Sequence, residues 1–191
     1  MRKKLEFRVD ERVKLFSKLN NELSNVIELA VLEILDSLKE NNKILIYGNG
    51  GSATQSSHFS AELVNRFYKN RPPINSISLT TDIANLTSIA NDISYNSVFS
   101  RQIDMLGRKG DISIGITTSG TSKNVLKALK ISKQKGLKTI ALCGDNKKHL
   151  VDMKTDIIIS VNTDDVPLIQ EIHLFILHFI AEQLEELMFN E

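Results

Sequence analysis

The sequence predicts an α/β fold in which a five-stranded parallel sheet is flanked by helices to form a three-layer sandwich. Three observations support this prediction. Five short apolar runs have the length of buried strands, helical patterns lie between them, and Gly- or Ser-rich turns join strands to helices. Strands that alternate with helices pair in parallel and are covered on both faces. The chain has 191 residues, which is enough for about one domain.

Each element follows from a local pattern. Apolar residues at helical spacing predict a first helix over residues 8–41, with a break near Asn20-Asn21. The predicted strands are 43–47, 76–79, 111–117, 138–143 and 156–161. The later helices are predicted over 52–68, 82–91, 96–107, from the turn at 118–122 to about 135, and over 166–189.

The first and last helices are unusually apolar. Between residues 26 and 35, and again between 172 and 180, apolar residues nearly encircle the helix. Such a helix must be covered on all sides. A single five-stranded sheet does not easily supply that cover, so we predict an oligomer whose subunits share both helices in its core. The alternative is that the two helices pack within one subunit.

Composition and charge exclude several other classes of protein. Apolar residues make up 41% and charged residues 25%, the balance of a globular chain rather than a disordered one. The formal net charge of +1 gives no sign of nucleic-acid or membrane partners. No apolar stretch approaches the roughly 20 residues of a membrane span. The basic start has no apolar run after it, and Cys143 is the single cysteine, so we expect a cytoplasmic protein.

A glycine cluster follows the first predicted strand, in the segment Gly48-Asn49-Gly50-Gly51-Ser52. Glycines let the backbone approach a ligand closely, and free N–H groups at the start of a helix favour an anion. The cluster is not a P-loop and not a dinucleotide fingerprint, since it lacks the Lys-Ser/Thr of the first and the third glycine of the second. It predicts either an anion site or a simple tight turn.

Hydroxyl groups crowd the end of the third predicted strand, in the segment Thr117-Thr118-Ser119-Gly120-Thr121-Ser122. Ser and Thr often cap helices, but a single hydroxyl is enough for a cap. Several hydroxyls beside helix N–H groups suit a phosphate. Ligands of α/β sheets bind at the carboxyl ends of strands, where this segment lies, so we predict a phosphate site here.

Ionisable side chains recur on two predicted helices. His58, Glu62 and Arg66 follow each other at intervals of four, which places them on one broad face, although a solvated Glu–Arg pair with a surface histidine has the same spacing. In the closing helix, Gln170 and His178 lie about 80° apart around the axis, and His173 is on another face. Polar groups in an apolar helix are either satisfied core residues or part of a metal or proton-transfer site.

These segments together resemble the phosphoheptose isomerase family of the SIS (sugar isomerase) fold group. The resemblance runs from the first helix to the last. The Asn-Gly-Gly-Ser and Thr-Ser-Gly-x-Ser loops are shared by many phosphosugar-binding relatives, whereas His-x-x-x-Glu together with Ile-Gln-Glu-x-His is much more specific. The segments that resemble the family are Gly48–Ser52, His58–Glu62, Asn65–Phe67, Asn70–Pro72, Ala90–Asp92, Gly115–Gly120, Ser122 and Ile169–His173.

The resemblance implies a single SIS domain over residues 1–191, flavodoxin-like in architecture, whose first 41 residues or so serve oligomerisation. It implies the interconversion of sedoheptulose 7-phosphate and D-glycero-D-manno-heptose 7-phosphate through an enediol, an early step toward bacterial surface heptoses. It also implies a homotetramer with active sites between subunits.

The resemblance further implies roles for individual residues. Glu62 is the candidate base and His178 the candidate acid, although a metal-bound carboxylate is a weaker base. One zinc ion per subunit would be held by His58, Glu62, Gln170 and His178. The phosphate would be held by Ser119 and Ser122 with Thr117 and Thr118. The rest of the substrate would be lined by Asn49, Gly50, Gly51, Ser52, Glu62, Asn91, Asp92 and Gln170.

Some positions depart from the family's usual pattern. Gln55 stands in place of Asp and Leu168 in place of Arg, which removes charge and leaves the exact sugar open. Thr117 and Thr121 replace Ser and Asn with polarity kept.

Two other classes of protein compete with the isomerase hypothesis. One is a non-catalytic SIS module that binds a phosphosugar or a protein, like the relative that associates with the bacterial replication initiator. That relative lacks counterparts of Glu62 and His178, so their presence here favours an enzyme. The other is a nucleotide-binding Rossmann protein, which only the glycine turn supports, since the acidic residue after the second strand is missing.

Overall fold

The computed structural model of the protein describes residues 1–189, apart from the side chains of Lys18, Asn20, Asn21 and Glu22. The helices are α1 Arg2–Glu22, α2 Ser24–Lys39, α3 Gly51–Val64, α4 Ile83–Asp92, α5 Val98–Leu106, α6 Lys123–Gln134, α7 Lys148–Asp152 and α8 Val166–Phe189. The strands are β1 Ile44–Gly48, β2 Ser76–Ser78, β3 Ile112–Thr117, β4 Lys138–Cys143 and β5 Ile157–Ser160. A short 3-10 turn, Tyr95–Ser97, precedes α5.

The five strands form one parallel sheet in the order β2-β1-β3-β4-β5. This confirms the predicted fold class. The chain runs outward in one direction from β1 and in the other from β3, so the crevice between these two strands is the position where open α/β sheets bind ligands. The glycine loop (residues 48–52) follows β1, and the hydroxyl loop (residues 117–122) follows β3. Both loops therefore lie at the same crevice.

Two apolar layers cover the sheet. Along β1, Ile44 and Ile46 belong to the core on the side of α2, α3 and α8. Leu45 and Tyr47 belong to the core on the side of α5 and α6. Successive side chains of a strand point to opposite faces, so β1 is buried over its whole length, as expected of a central parallel strand.

The first predicted helix is two helices in the structure. The chain leaves helical geometry at Leu23, not near Asn20-Asn21 as predicted, and α1 begins at Arg2, six residues before the predicted start. Leu23 is buried, and α2, which begins at the next residue, packs against α8 and β5. Ion pairs hold α1 to the start of α8, with Arg8 Nη1 2.7 Å from Asp165 Oδ2 and Arg12 Nη2 2.7 Å from Glu171 Oε1.

An apolar groove of about 630 Å³ lies between α1, α2 and α8. Leu32, Phe175 and Leu187 line it and remain 46%, 47% and 51% exposed. The first and last helices do pack against each other within one subunit, the alternative to the predicted shared core, but this packing leaves part of their apolar surface uncovered. Within residues 1–189, no helix combines the length and the apolarity that a membrane crossing requires.

Candidate active site

The glycine loop has a conformation that only glycine adopts easily. Gly50 has a φ of 54° and a ψ of −121°, in the half of conformational space that residues with a Cβ avoid. A Cβ on Gly51 would lie 2.5 Å from Nε2 of Gln170, so this glycine lets α8 approach the loop closely. Asn49 and Ser52 flank the pair, and the Ser52 side chain is buried.

No hydroxyl of Ser122, the residue before α6, caps that helix; the hydroxyls of this loop bond to one another instead. Ser122 occupies the position before the helix, yet its side chain makes no cap hydrogen bond and instead accepts one from Thr117 Oγ1 at 3.0 Å. The capping alternative is therefore wrong for Ser122. Ser119 Oγ accepts hydrogen bonds from the backbone N–H and the hydroxyl of Thr121 at 3.2 and 3.0 Å. Thr118 fixes the loop to β4, because its carbonyl accepts from Gly144 N.

A pair of amides joins the glycine loop to the first turn of α6, directly after the hydroxyl loop. Asn49 Nδ2 donates to Asn124 Oδ1 at 2.9 Å, and Asn124 Nδ2 donates to Asn49 Oδ1 at 2.8 Å. Tyr95 Oη also donates to Asn49 Oδ1, at 2.9 Å. The prediction did not include Asn124 or Tyr95. A polar residue among the apolar positions of α6 was a signal for Asn124, whereas nothing in the local pattern marked Tyr95.

Asn91 and Asp92 form the last turn of α4 and are exposed. Asn91 Nδ2 donates to Asp92 Oδ1 at 2.8 Å. The next turn of the chain carries Tyr95, whose hydroxyl contacts Asn49 of the glycine loop. This contact ties the segment that carries Asn91 and Asp92 to the crevice.

Three of the predicted reactive side chains meet between α3 and α8. Nε2 of His58 and Nε2 of His178 are 2.8 Å apart, and Glu62 Oε1 is 3.5 Å from His58 Nε2. We call His58, Glu62 and His178 the reactive cluster. The sequence separation between His58 and His178 is 120 residues, so only the fold brings them together. Arg66 does not join them, because α3 ends at Val64 and not near residue 68 as predicted.

Gln170 and His173 lie at different places on α8. The Gln170 side chain contacts Gly51, and its backbone carbonyl accepts a hydrogen bond from Gln55 Nε2 at 2.6 Å. His173 is fully buried on another face, as predicted, with Nε2 3.3 Å from the carbonyl of Cys143. Burial lowers the pKa of His173 to about 4, so this ring is neutral near neutral pH.

The two departures from the family pattern have different surroundings. Gln55 is buried beside Gln170, and its Oε1 has no hydrogen-bond partner. Leu168 packs in the apolar core between the sheet and α8. The missing charge at 55 thus lies next to a predicted substrate residue, whereas the missing charge at 168 is replaced by core packing.

The environment of His178 favours its neutral form. Burial lowers the pKa of His178, the neighbouring His58 lowers it further, and Glu62 opposes both effects. A neutral imidazole ligates metal ions and accepts hydrogen bonds. A ring with a lowered pKa is also the stronger proton donor whenever it does hold a second proton.

The donor types of the reactive cluster fit zinc, but their spacing is that of hydrogen bonds. No group of three or more His, Cys, Asp or Glu side chains within residues 1–189 is arranged as a metal site. Two imidazole nitrogens and a carboxylate oxygen are suitable zinc ligands. On one tetrahedral zinc ion, two nitrogens would be about 3.3 Å apart. The rings of His58 and His178, whose Nε2 atoms are 2.8 Å apart, need to separate only slightly to reach that spacing.

A known domain family covers most of this chain. The SIS domain family model matches residues 9–144. The chain is therefore an SIS-domain protein, with its loops at the crevice between β1 and β3.

Proteins of similar sequence identify the family within the SIS-domain proteins. A phosphoheptose isomerase of Thermodesulfovibrio yellowstonii is 44% identical over 95% of this chain and 90% of its own length. One of Geotalea daltonii is 40% identical over 100% of this chain and 99% of its own. Two solved structures share the fold at 32% identity. Phosphoheptose isomerase GmhA from Neisseria gonorrhoeae has a TM-score of 0.91 over 97% of this chain and 98% of its own. A phosphoheptose isomerase from Francisella tularensis has a TM-score of 0.93 over 96% and 97%. The chain belongs to the phosphoheptose isomerase family and is an isomerase.

Proposed function

We propose that this protein interconverts sedoheptulose 7-phosphate and D-glycero-D-manno-heptose 7-phosphate, a reaction that leads toward bacterial surface heptoses. The observation that supports this most strongly is the meeting of His58, Glu62 and His178 on two helices that also contact the glycine loop. The relatives are named phosphoheptose isomerases, and the reactive cluster offers an acid and a base for such an isomerisation.

The two contacts between α3 and α8 suggest how a long substrate would lie. Gly51 meets Gln170 at one level, and His58 meets His178 two turns further along both helices. Seven or eight residues of helix correspond to about 11 Å. A seven-carbon chain with a terminal phosphate is long enough to reach from the loops to the reactive cluster. The loops would then hold the phosphate end, and the cluster would act on the carbonyl end.

Isomerisation moves a proton between C1 and C2 of the sugar. The reaction needs a base at the carbon that loses its proton and a donor at the carbonyl oxygen. We assign the base to Glu62 and the donor to His178. Zinc, held by His58, Glu62 and His178, would stabilise the negative charge that develops on the enediolate oxygens. Gln170, the fourth proposed ligand, contacts Gly51 two helical turns away and would have to turn toward the cluster to reach the ion. Glu62 would act as the stronger base when it is not a metal ligand.

The loops supply the binding groups in this proposal. Hydroxyls of Thr117, Thr118, Ser119 and Ser122, with the N–H groups that begin α6, would hold the phosphate. The sugar chain would be lined by Asn49, Gly50, Gly51, Ser52, Asn91 and Asp92. The amide pair of Asn49 and Asn124 supports this assignment, because it ties the glycine loop to the helix that follows the hydroxyl loop.

We further propose a cytoplasmic homotetramer in which each chain is one SIS domain and residues 1–41 contribute to the interfaces. The apolar groove supports this proposal, since exposed Leu32, Phe175 and Leu187 would be covered by a second chain. Light scattering at micromolar concentration should give about four times 21.5 kDa. A monodisperse species of one chain would overturn it.

A panel of ketose phosphates tests the function. Purified protein loaded with zinc should convert sedoheptulose 7-phosphate to an aldose faster than shorter ketose phosphates. Conversion of another ketose phosphate instead would support isomerase activity but contradict the proposed substrate. Gln55 would then be the first position to examine. Binding of heptose phosphate without any conversion would contradict the isomerase hypothesis and support the non-catalytic phosphosugar-binding module.

A further inference from the structure

We propose that Glu185 and Arg71 form a positioning pair that sets the separation between Glu62 and His178. The inference rests on the proposed function, in which those two residues act on the substrate. Neither member of the pair belongs to the reactive cluster, and the pair acts through Glu62 and Phe67.

Glu185 is a buried carboxylate with a complete set of donors. It accepts hydrogen bonds from the backbone N–H groups of Phe67, Tyr68 and Lys69 at 3.1, 2.8 and 2.7 Å, and from Arg71 Nε at 3.0 Å. The side chains of Glu185 and Arg71 are each 2% exposed. Burial alone would raise the pKa of Glu185, but these four donors outweigh it and lower the pKa. The carboxylate is therefore charged at neutral pH.

Arg71 binds the free carbonyl groups at the C-terminal end of α3. Its Nη1 donates to the carbonyl of Leu63 at 2.6 Å, and its Nη2 donates to the carbonyl of Glu62 at 2.8 Å. The last carbonyls of a helix lack partners within the helix, and a cation there also interacts favourably with the helix dipole. The same residue that pairs with Glu185 thus holds the backbone of Glu62 directly.

Glu185 is also connected to His178, because both lie on α8. Glu185 follows His178 by seven residues, which places both on the same face of that helix. Phe67, whose N–H binds Glu185, has its ring centroid 5.8 Å from that of His178. One ion pair therefore links the backbone of Glu62 on α3 with the surroundings of His178 on α8. A change in this link should alter the spacing of the reactive cluster.

A second buried ion pair, at the amino ends of the central strands, provides a matched control. Asp111 is also a buried carboxylate, and it accepts hydrogen bonds from the N–H groups of Lys43 and Arg108 at 3.0 and 2.8 Å. It pairs with Lys43 Nζ at 2.6 Å. This pair joins the segments before β1 and β3, and none of its partners belongs to α3 or α8, which carry the reactive cluster. Loss of it should destabilise the fold without moving the cluster.

The test compares Glu185→Gln with Asp111→Asn in the intact protein. Each change keeps the size of the side chain and removes the charge. The measurements are kcat and KM for the heptose phosphate, thermal unfolding, and titration with Co²⁺ followed by its visible absorption. Residues that orient metal ligands typically contribute about 10- to 100-fold in affinity or activity. We expect kcat and Co²⁺ affinity of Glu185→Gln to fall by that order, with an altered absorption spectrum and little change in KM.

The control should lose thermal stability and keep kcat, Co²⁺ affinity and spectrum. Equal losses of kcat in both variants would reduce the pair to a general structural role and overturn the proposal. If Glu185→Gln does not fold, Arg71→Lys decides, because lysine keeps the charge beside Glu185 but does not reach both carbonyls of α3. A folded Arg71→Lys protein with unchanged kcat and Co²⁺ spectrum overturns the proposal. Wild-type protein that binds Co²⁺ but isomerises nothing would instead refute the proposed function.

Discussion

The two halves of the candidate site are built by different means. The loop half consists of the glycine loop and the hydroxyl loop, each of which lies within a short segment between one strand and one helix. The helix half consists of the reactive cluster, whose members come from α3 and α8 and meet only through tertiary packing. Loops with backbone donors and hydroxyls suit tight, unchanging contacts to a phosphate. Ionisable groups on two packed helices suit proton transfer, since small shifts in packing tune their pKa values and distances.

This difference leads to separable kinetic effects. Changes in the helix half should lower kcat if its groups act on the reacting atoms as proposed. Changes in the loop half should raise KM if its groups bind the phosphate end as proposed.

The largest effect is expected for Glu62→Gln. The substitution keeps size and hydrogen bonding but removes the base, and general acid–base groups contribute about 10²- to 10⁴-fold in rate. We expect kcat to fall by that order with little change in substrate affinity. Steady-state kinetics and isothermal calorimetry would show this, and a kcat within a few-fold of wild type would remove Glu62 from the base role.

His178→Gln should also lower kcat strongly, and a double-mutant cycle combines it with Glu62→Gln. If both residues serve one transition state, the two losses are not additive, and the double variant is little slower than the worse single variant. Losses that simply multiply would mean that Glu62 and His178 act in independent steps.

Metal binding gives a second contrast, between two histidines. Elemental analysis after zinc loading should find about one zinc per chain in the wild type. His58→Ala should abolish this binding, whereas His173→Ala should keep it, because His173 lies on another face of α8 beside Cys143. Equal loss from both variants would contradict the assignment of His58 to the metal.

A smaller effect is expected in the loop half. Ser119→Ala removes one hydroxyl from the proposed phosphate site, and hydrogen bonds to charged groups contribute about 1.5–3 kcal/mol. KM should rise by roughly 10- to 100-fold while kcat stays near wild type. A fall in kcat with unchanged KM would mean that the loop half takes part in the chemical step.

The last effect concerns stability rather than activity. The folded protein holds His173 neutral with a pKa of about 4, against about 6.5 in an unfolded chain. The unfolded state therefore binds more protons between these values. The contribution is fully present above about pH 6.5 and is lost as the pH falls toward 4, in total about 3 kcal/mol. Denaturant unfolding should be less dependent on pH over this range in His173→Gln, and an unchanged slope would contradict the assignment.

The same contrast explains what the sequence allowed us to predict. The fourth strand and the last helix were predicted with the bounds that the structure has, since their apolar patterns are local. Both loops were also predicted, because glycines and hydroxyls at strand ends are local signals. The end of α3 was not, because Phe67, Tyr68 and Lys69 give their N–H groups to Glu185, more than a hundred residues away. No local pattern contains that partner.

Residues that connect elements were the hardest to predict. Tyr95 matters because its hydroxyl contacts Asn49, 46 positions earlier in the chain. The break at Leu23 depends on the core into which that side chain packs, and the five-residue helix α7 is too short to show periodicity. Sequence spacing alone does not show whether His58 and His178 meet. Only the resemblance to the family implies that they do.

Solvent deuterium exchange tests the division of the site most directly. Wild-type protein and Glu62→Gln would be incubated with sedoheptulose 7-phosphate in heavy water, and the sugar followed by NMR. We expect wild-type protein to yield aldose with deuterium at C2. We expect Glu62→Gln to bind the same substrate with similar affinity but to incorporate deuterium at least about 100-fold more slowly. Undiminished incorporation by Glu62→Gln, or wild-type protein that binds the sugar without any exchange, would contradict the assignment of proton transfer to the helix half.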